Sequence, residues 1–184
     1  MFTSVASMLR RAEEENKPLW EVILADDLAD RGVKREASLE KMEGLWRAMK
    51  EAEADYDPAR RSASGLVGGE GAVMDRSQVG LCGPFLREVM ATALKMGECN
   101  ACMRRIVAAP TAGACGVLPA VLLPMQRRYG FSDEQMAQAL YVSAGFGQVI
   151  AARASISGAE GGCQAEVGSA SGMAAAAITH LMGG

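Results

Sequence analysis

The sequence predicts an all-α fold, and three observations support this assignment. Apolar residues recur in the N-terminal part at the spacing of one helix face, at Leu39, Met42, Trp46 and Met49. Small residues dominate residues 136–152 and the tail around Ala174–Ala177, as in closely packed helices. No segment alternates apolar and polar residues over a length that would predict a strand. A chain of 184 residues fits one domain, or one domain with a small N-terminal appendage.

The first 55 residues form a charged region that is expected to be helical. Pro18 suits the start of a helix, and Gly32 suits its end. The apolar stripe that ends at Met49 continues this region, with charged residues on the other helix faces. We interpret residues 1–55 as a scaffold or an interaction arm and not as a catalytic element.

Composition changes at Tyr56, and prolines, serines and a glycine cluster predict a loop over residues 56–84. Helical patterning returns from Phe85 through Ile106, and a further helix is expected to begin near Pro119. Ser132-Asp-Glu-Gln135 has the form of a capping box, in which serine and glutamine satisfy free N–H groups of the first turn. A last helix is expected to end at Met182.

Glycines occur inside the helix expected over residues 136–152, at Gly145 and Gly147. Glycine inside a helix costs on the order of 1 kcal/mol relative to alanine. Its repeated use predicts helices packed backbone to backbone, or a ligand lying against them.

Charge and apolar patterning exclude two classes of function. The net charge is −3, and no basic stripe is interleaved with aromatic residues, so a nucleic-acid partner is not expected. The longest apolar region, Ile106 to Met125, is interrupted by three prolines, which argues against a membrane span. No signal peptide is recognisable at the N-terminus, and five cysteines without one predict reduced thiols in a cytoplasmic protein.

Three glycine-rich segments have compositions that packing alone would not require, and they are candidates for a functional site. They are Ser64–Gly69, Ala109–Pro119 and Ser157–Glu166. In the second, Thr111 and Gly113 lie in a turn before a helix, and such turns present backbone N–H groups to anions such as carboxylates. In the third, Cys163 follows two glycines and is expected near a helix N-terminus, which favours a thiolate. The residues themselves leave two interpretations of Cys163 open: it is either a ligand of a metal or cluster, or an inert packed cysteine.

Cys99 and Cys102 have the spacing of a metal knuckle. They fall in a stretch predicted to be helical, and no fourth cysteine or histidine lies close to them in sequence. We therefore expect buried thiols on one helix, and a zinc site as the alternative.

The three segments together resemble the α chain of bacterial iron–sulfur-dependent L-serine dehydratase (L-serine ammonia-lyase). Residues 105–119 and 155–171 are the most specific matches, and Ser64–Gly69 matches a third segment of that family. The resemblance covers essentially the whole chain and is weakest over the first 55 residues. It implies that residues 56–184 are the N-terminal part of a catalytic domain.

What the resemblance implies is a [4Fe–4S] cluster on three cysteines, with one iron left open for serine and no pyridoxal phosphate. Cys163 matches the first cluster cysteine, and two further cysteine ligands are expected beyond residue 184, in a motif that this sequence does not reach. Iron acting as a Lewis acid at the serine hydroxyl would help water to leave, and the product would become pyruvate and ammonia. The residues expected to bind L-serine near Cys163 are Ser64, Gly65, Thr111, Gly113 and Gly116.

The same resemblance implies a β chain that supplies a catalytic histidine, an oligomeric enzyme and a place in serine catabolism and gluconeogenesis. No general base is assigned in this chain, and its end at Gly184 predicts that it is inactive alone. Two alternatives stay open at this point. One is a catalytically silent helical fragment or assembly subunit of the same enzyme, and the other is a thiol or zinc protein that uses Cys99 and Cys102.

Overall fold

The computed structural model describes residues 2–78, 80 and 82–184, and over these it contains eight α-helices and no strand. The helices are α1 (Val5–Glu15), α2 (Leu19–Arg31), α3 (Arg35–Ala54), α4 (Glu70–Arg76), α5 (Pro84–Ala101), α6 (Val117–Tyr129), α7 (Asp133–Ala151) and α8 (Gly158–Leu181). The predicted all-α fold is confirmed. In this part of the chain, no helix has both the length and the apolar character needed to cross a membrane.

Several predicted helix ends are confirmed. Pro18 caps the start of α2, and Gly32 ends that helix in the left-handed conformation with φ of 64°. The capping box before α7 is complete. The Ser132 hydroxyl accepts a hydrogen bond from the Gln135 backbone N–H at 3.2 Å, and Oε1 of Gln135 accepts one from the Ser132 N–H at 2.9 Å.

Other predicted ends were wrong. The helix expected to run from Phe85 to Ile106 ends at Ala101, because the Asn100 side chain bonds the Ala112 carbonyl at 3.0 Å and Met103 adopts a left-handed φ of 57°. Asparagine and cysteine also favour helices weakly. The expected loop over residues 56–84 contains the short helix α4, which starts with the acidic residue Glu70 where the helix dipole favours it.

The first compact unit, unit 1, comprises the chain up to Trp46 and from Ser132 to Gly184. Its core is built from Phe2, which precedes α1, and from apolar side chains of α1, α2, α7 and α8, namely Met8, Val22, Ile23, Val142, Val149 and Ala176. Side chains fill the positions opposite the glycines of α7. A Cβ atom at Gly145 would lie 2.6 Å from Cδ1 of Ile23, and one at Gly147 would lie 2.8 Å from Sδ of Met173. The expected backbone-to-backbone packing is therefore not observed at these two glycines of α7. Instead, the side chains of Ile23 and Met173 occupy the space that a Cβ atom would take.

The second compact unit, unit 2, comprises Arg47–Phe131. Helix α5 packs against α4 and α6, and its buried face includes Ala91 and Met96. Arg127 of α6 donates to Glu53 at 2.7 Å and to Glu88 at 2.7 Å. Both units thus contain buried apolar side chains of their own. The boundary predicted between residues 55 and 56 separates a charged helical region from part of a catalytic domain. The two compact units divide the chain by packing and at other positions, so they do not test this assignment, which stays a prediction.

Candidate functional site

Cys163 lies at a break in α8. Gly162 has φ of 76° and ψ of 173°, so the helical dihedrals are interrupted one residue before the cysteine. The short turn before the break is capped by Ser157, whose hydroxyl accepts a hydrogen bond from the Glu160 N–H at 3.3 Å. Residues that follow such a break begin a new helical segment with backbone N–H groups free of helical partners. The long part of α8 therefore starts at Cys163, which is the helix N-terminus expected from the sequence.

The Cys163 thiol is exposed. Its chain neighbours Gly161, Gly162 and Gln164 are exposed as well, so no bulky side chain covers the sulfur from the preceding residues. An inert packed cysteine would be buried, as Cys115 is at 2% exposure. In this structure Cys163 is not packed, and the geometry provides an accessible thiol at a helix N-terminus; a role as metal ligand stays a prediction.

Thr111 and Gly113 lie in the compact turn that leads into α6. The Thr111 hydroxyl accepts a hydrogen bond from the Ala114 N–H at 3.3 Å, which closes the turn. Gly113 is exposed at its outer side. At the inner side Gly116 approaches α5, where an added Cβ would lie 3.0 Å from the Ala93 carbonyl oxygen. The turn is thus ordered, anchored on its inner side and open on its outer side.

Ser64 and Gly65 form the exposed tip of a glycine-rich loop. Ser62 holds this tip together, because its N–H donates to the Val67 carbonyl at 2.9 Å and its hydroxyl accepts from the Val67 N–H at 3.2 Å. The Ser62 and Ser64 hydroxyls are 3.0 Å apart. Gly65 has φ of 74° and no neighbour that would touch an added Cβ within 4 Å. The Gly65 N–H donates to the Ser62 carbonyl at 2.8 Å, so the tip is held by local hydrogen bonds while the Cα of Gly65 faces open space.

Both loops rest on α5. The base of the Ser64 loop contacts α5 at Lys95 and Glu98, and the Thr111 turn contacts it at Met96 and Asn100. At about 100° per residue, these two pairs face different sides of the helix. The structure thus brings the two loops to one helix but on different sides of it. Cys163 belongs to the other compact unit, and a shared pocket of the three segments stays a prediction.

Comparison with known proteins decides the family. The family of serine dehydratase alpha chains matches residues 10–184, which is nearly the whole sequence. The chain belongs to this family. The predicted family resemblance is confirmed, including over most of the charged N-terminal region where it was expected to be weakest.

Individual serine dehydratases show the same relationship. The chain is 37% identical over 187 aligned residues to the probable L-serine dehydratase alpha chain of Bacillus subtilis, covering all of this chain and 62% of that protein. It is 49% identical to the L-serine dehydratase alpha chain of Peptoniphilus asaccharolyticus over 56% of this chain and 36% of the relative. L-serine dehydratase 2 of Escherichia coli is 46% identical over half of this chain and 20% of its own length. The chain therefore spans less than two thirds of the length of these relatives.

Cys99 and Cys102 lie in different surroundings in the described structure. Cys99 is buried in α5 and directs its sulfur to the Ala52 carbonyl at 3.6 Å, whereas Cys102 caps the helix and is partly exposed. Burial raises the pKa of the Cys99 thiol, which favours the neutral form over a ligating thiolate. Within residues 2–78, 80 and 82–184, no three His, Cys, Asp or Glu side chains are grouped to hold a metal ion.

One cavity in unit 1 was not predicted. It has a volume of about 310 Å³ and lies in unit 1 between α2, the start of α3, and α7. The Ser38 hydroxyl links Asp27 at 2.9 Å to the Tyr141 hydroxyl at 2.8 Å, and Arg31 pairs with Asp27 and keeps its pKa below the usual range. Because these groups satisfy one another, the network serves to hold the helices together. Ser38 and Tyr141 are 103 residues apart, a separation that no local pattern reveals.

Proposed function

We propose that the chain is the α-chain portion of an L-serine ammonia-lyase that converts L-serine to pyruvate and ammonia in the cytoplasm. The observation that carries this proposal is the exposed Cys163 thiol at the helical break of α8, in a chain of the serine dehydratase family. The names of the relatives support serine as the substrate.

The residues present fit one ligand position of a [4Fe–4S] cluster. Cys163 is accessible, begins a helical segment and follows two glycines without side chains, so a large inorganic group has room to approach its sulfur. Such clusters take several cysteine thiolates, and the described residues group none around Cys163. We propose that the remaining ligands come from residues outside this sequence. When bound, a cluster with an open iron supplies Lewis-acid assistance at the serine hydroxyl.

For substrate binding we propose the two ordered loops of unit 2. Ser64 and Gly65 place a hydroxyl and a residue without a side chain at an exposed tip, and Thr111 and Gly113 lie in a second turn. Polar loop groups of this kind suit a small zwitterion that needs both donors and acceptors. Gly116 contributes by allowing the second loop to lie close against α5.

The proposal includes a β chain and an oligomeric enzyme. The general base is expected from that β chain, as the family resemblance implies. The single histidine of this chain, His180, is partly buried in unit 1 near the end of α8. Burial lowers the pKa of His180, and a neutral imidazole is able to accept a proton, so it is the partial burial that leaves His180 out of the proposed chemistry.

Pyruvate formation tests the proposal. The chain is compared alone and joined to the remainder of a complete α chain together with a β chain, each reconstituted anaerobically with iron and sulfide. We expect L-serine-dependent pyruvate only from the complete assembly. An assembly that is folded but neither holds iron nor forms pyruvate would support the catalytically silent alternative instead.

A further inference from the structure

Glu98 of α5 is the one carboxylate among the buried residues of the described chain, with 4% of its surface exposed. It accepts three hydrogen bonds at the base of the Ser64 loop. Oε2 accepts from the Tyr56 hydroxyl at 2.5 Å and from the Gly69 N–H at 2.8 Å, and Oε1 accepts from the Gly71 N–H at 2.8 Å. A buried carboxylate is stable only when it is paired in this way.

The base of the loop is also held sterically. Gly71 lies so close to α5 that an added Cβ would be 2.9 Å from the Lys95 backbone nitrogen. Gly68 has φ of 141° and faces the Arg60 carbonyl oxygen, which an added Cβ would reach at 2.2 Å. The Gly68 N–H in turn donates to the Glu70 carboxylate at 2.9 Å. Residues 68–71 are therefore a fixed base, in contrast to the exposed tip at Ser64 and Gly65.

We propose that Glu98 is a positioning residue that fixes the base of the glycine-rich loop and so holds Ser64 and Gly65 in place for ligand binding. The ligand part of this inference rests on the proposed function, in which that tip binds L-serine. Glu98 itself does not touch the tip, because its bonds go to Tyr56, Gly69 and Gly71. It acts through the backbone that leads to the tip.

The three donors explain why a carboxylate is needed. Two backbone N–H groups and one hydroxyl meet two oxygen atoms, and a side-chain amide offers only one acceptor oxygen. In Glu98→Gln, the amide –NH₂ faces either Gly69 or Gly71, and that glycine N–H loses its partner. Tyr56→Phe removes one donor to Glu98 and leaves both glycine bonds, so its effect at Gly69 and Gly71 is smaller. It also removes the acceptor of the Ala72 N–H, which lies 3.3 Å from the Tyr56 hydroxyl, so Ala72 is left out of the comparison.

Amide hydrogen exchange of the 184-residue chain tests the clamp directly. We expect Glu98→Gln to speed exchange at the Gly69 and Gly71 amides by about tenfold or more, and Tyr56→Phe to have a smaller effect at the same two amides. Glu88→Gln is the matched control, because Glu88 lies on the same helix but is only partly buried, with 38% of its side chain exposed, and pairs with Arg127. Far-UV circular dichroism verifies that each variant is folded. Unchanged exchange in a folded Glu98→Gln chain would overturn the proposal.

Steady-state kinetics of the complete α and β assembly test the link to the ligand. Loss of positioning raises KM for L-serine, by about tenfold, with a smaller change in kcat, whereas a merely unfolded fraction lowers kcat and leaves KM unchanged. The second pattern in Glu98→Gln would overturn the positioning role. If the wild-type assembly formed no pyruvate, the proposed function would fail, and the exchange experiment alone would decide whether Glu98 fixes the loop.

Discussion

Replacing Gly71 by alanine tests the contact between α4 and α5. The added Cβ would lie 2.7 Å from Cγ of Lys95, 2.9 Å from its backbone nitrogen and 3.2 Å from its Cα. A lysine side chain can move, but the backbone of α5 cannot, so α4 must shift outward. Overpacking of this kind costs about 1–3 kcal/mol. At about 2–4 °C per kcal/mol for chains of this size, we expect Tm to fall by about 2–12 °C.

Gly97→Ala is the matched control on the same pair of helices. Gly97 lies inside α5, is exposed, and has no atom within 4 Å of an added Cβ. The substitution should raise the free energy of unfolding by about 0.5–1 kcal/mol, because alanine loses less backbone entropy in a helix. Thermal unfolding followed by circular dichroism measures both variants. A Gly71→Ala chain as stable as the wild type would refute the close packing of α4 on α5.

Three further predictions follow from single features. Ser132→Ala removes the capping box of α7 and should lower the free energy of unfolding by about 1 kcal/mol, measured by urea denaturation; an unchanged midpoint would contradict it. Burial, and then the bond to Glu98, raises the pKa of Tyr56 from 10.0 to about 12, so the neutral phenol favours the folded state. That stability is fully present below about pH 10 and is lost as pH rises toward about 12; Tyr56→Phe should flatten this pH dependence, and an equal slope in both chains would disprove it. The chain alone should hold far fewer than about four irons after anaerobic reconstitution, because one thiolate does not retain a cluster; about four irons with broad absorbance at the blue end would count against this.

Helix boundaries were predictable where local chemistry decides them. The Ser132 capping box and the Gly32 helix end depend on side chains and dihedrals within a few residues, and both were confirmed. The end of α5 was missed because the Asn100 side chain bonds the carbonyl of Ala112, twelve residues away. Helix α4 was missed because its glycine-rich surroundings suggest a loop, whereas packing on α5 stabilises a helix there.

The candidate site was predictable in part for the same reason. The glycines before Cys163 indicated a helix N-terminus, and the structure has one there. The role of Glu98 was not seen, since its partners Tyr56 and Gly69 are 42 and 29 residues away in sequence. One signal was available: Glu98 follows Ala91 by seven residues, on the buried face of α5. A charged residue on such a face must have partners.

The most direct test of the whole account is the effect of Cys163→Ser on iron content and pyruvate formation in the complete α and β assembly. The serine hydroxyl stays protonated near neutral pH and binds iron poorly, so we expect both iron and activity to be lost. Cys99→Ser and Cys102→Ser are the controls and should keep most of both, because Cys99 packs in α5 and Cys102 caps it. Retention of iron and rate by Cys163→Ser would contradict the account. Loss of iron from folded Cys99→Ser or Cys102→Ser would move the metal site to that pair.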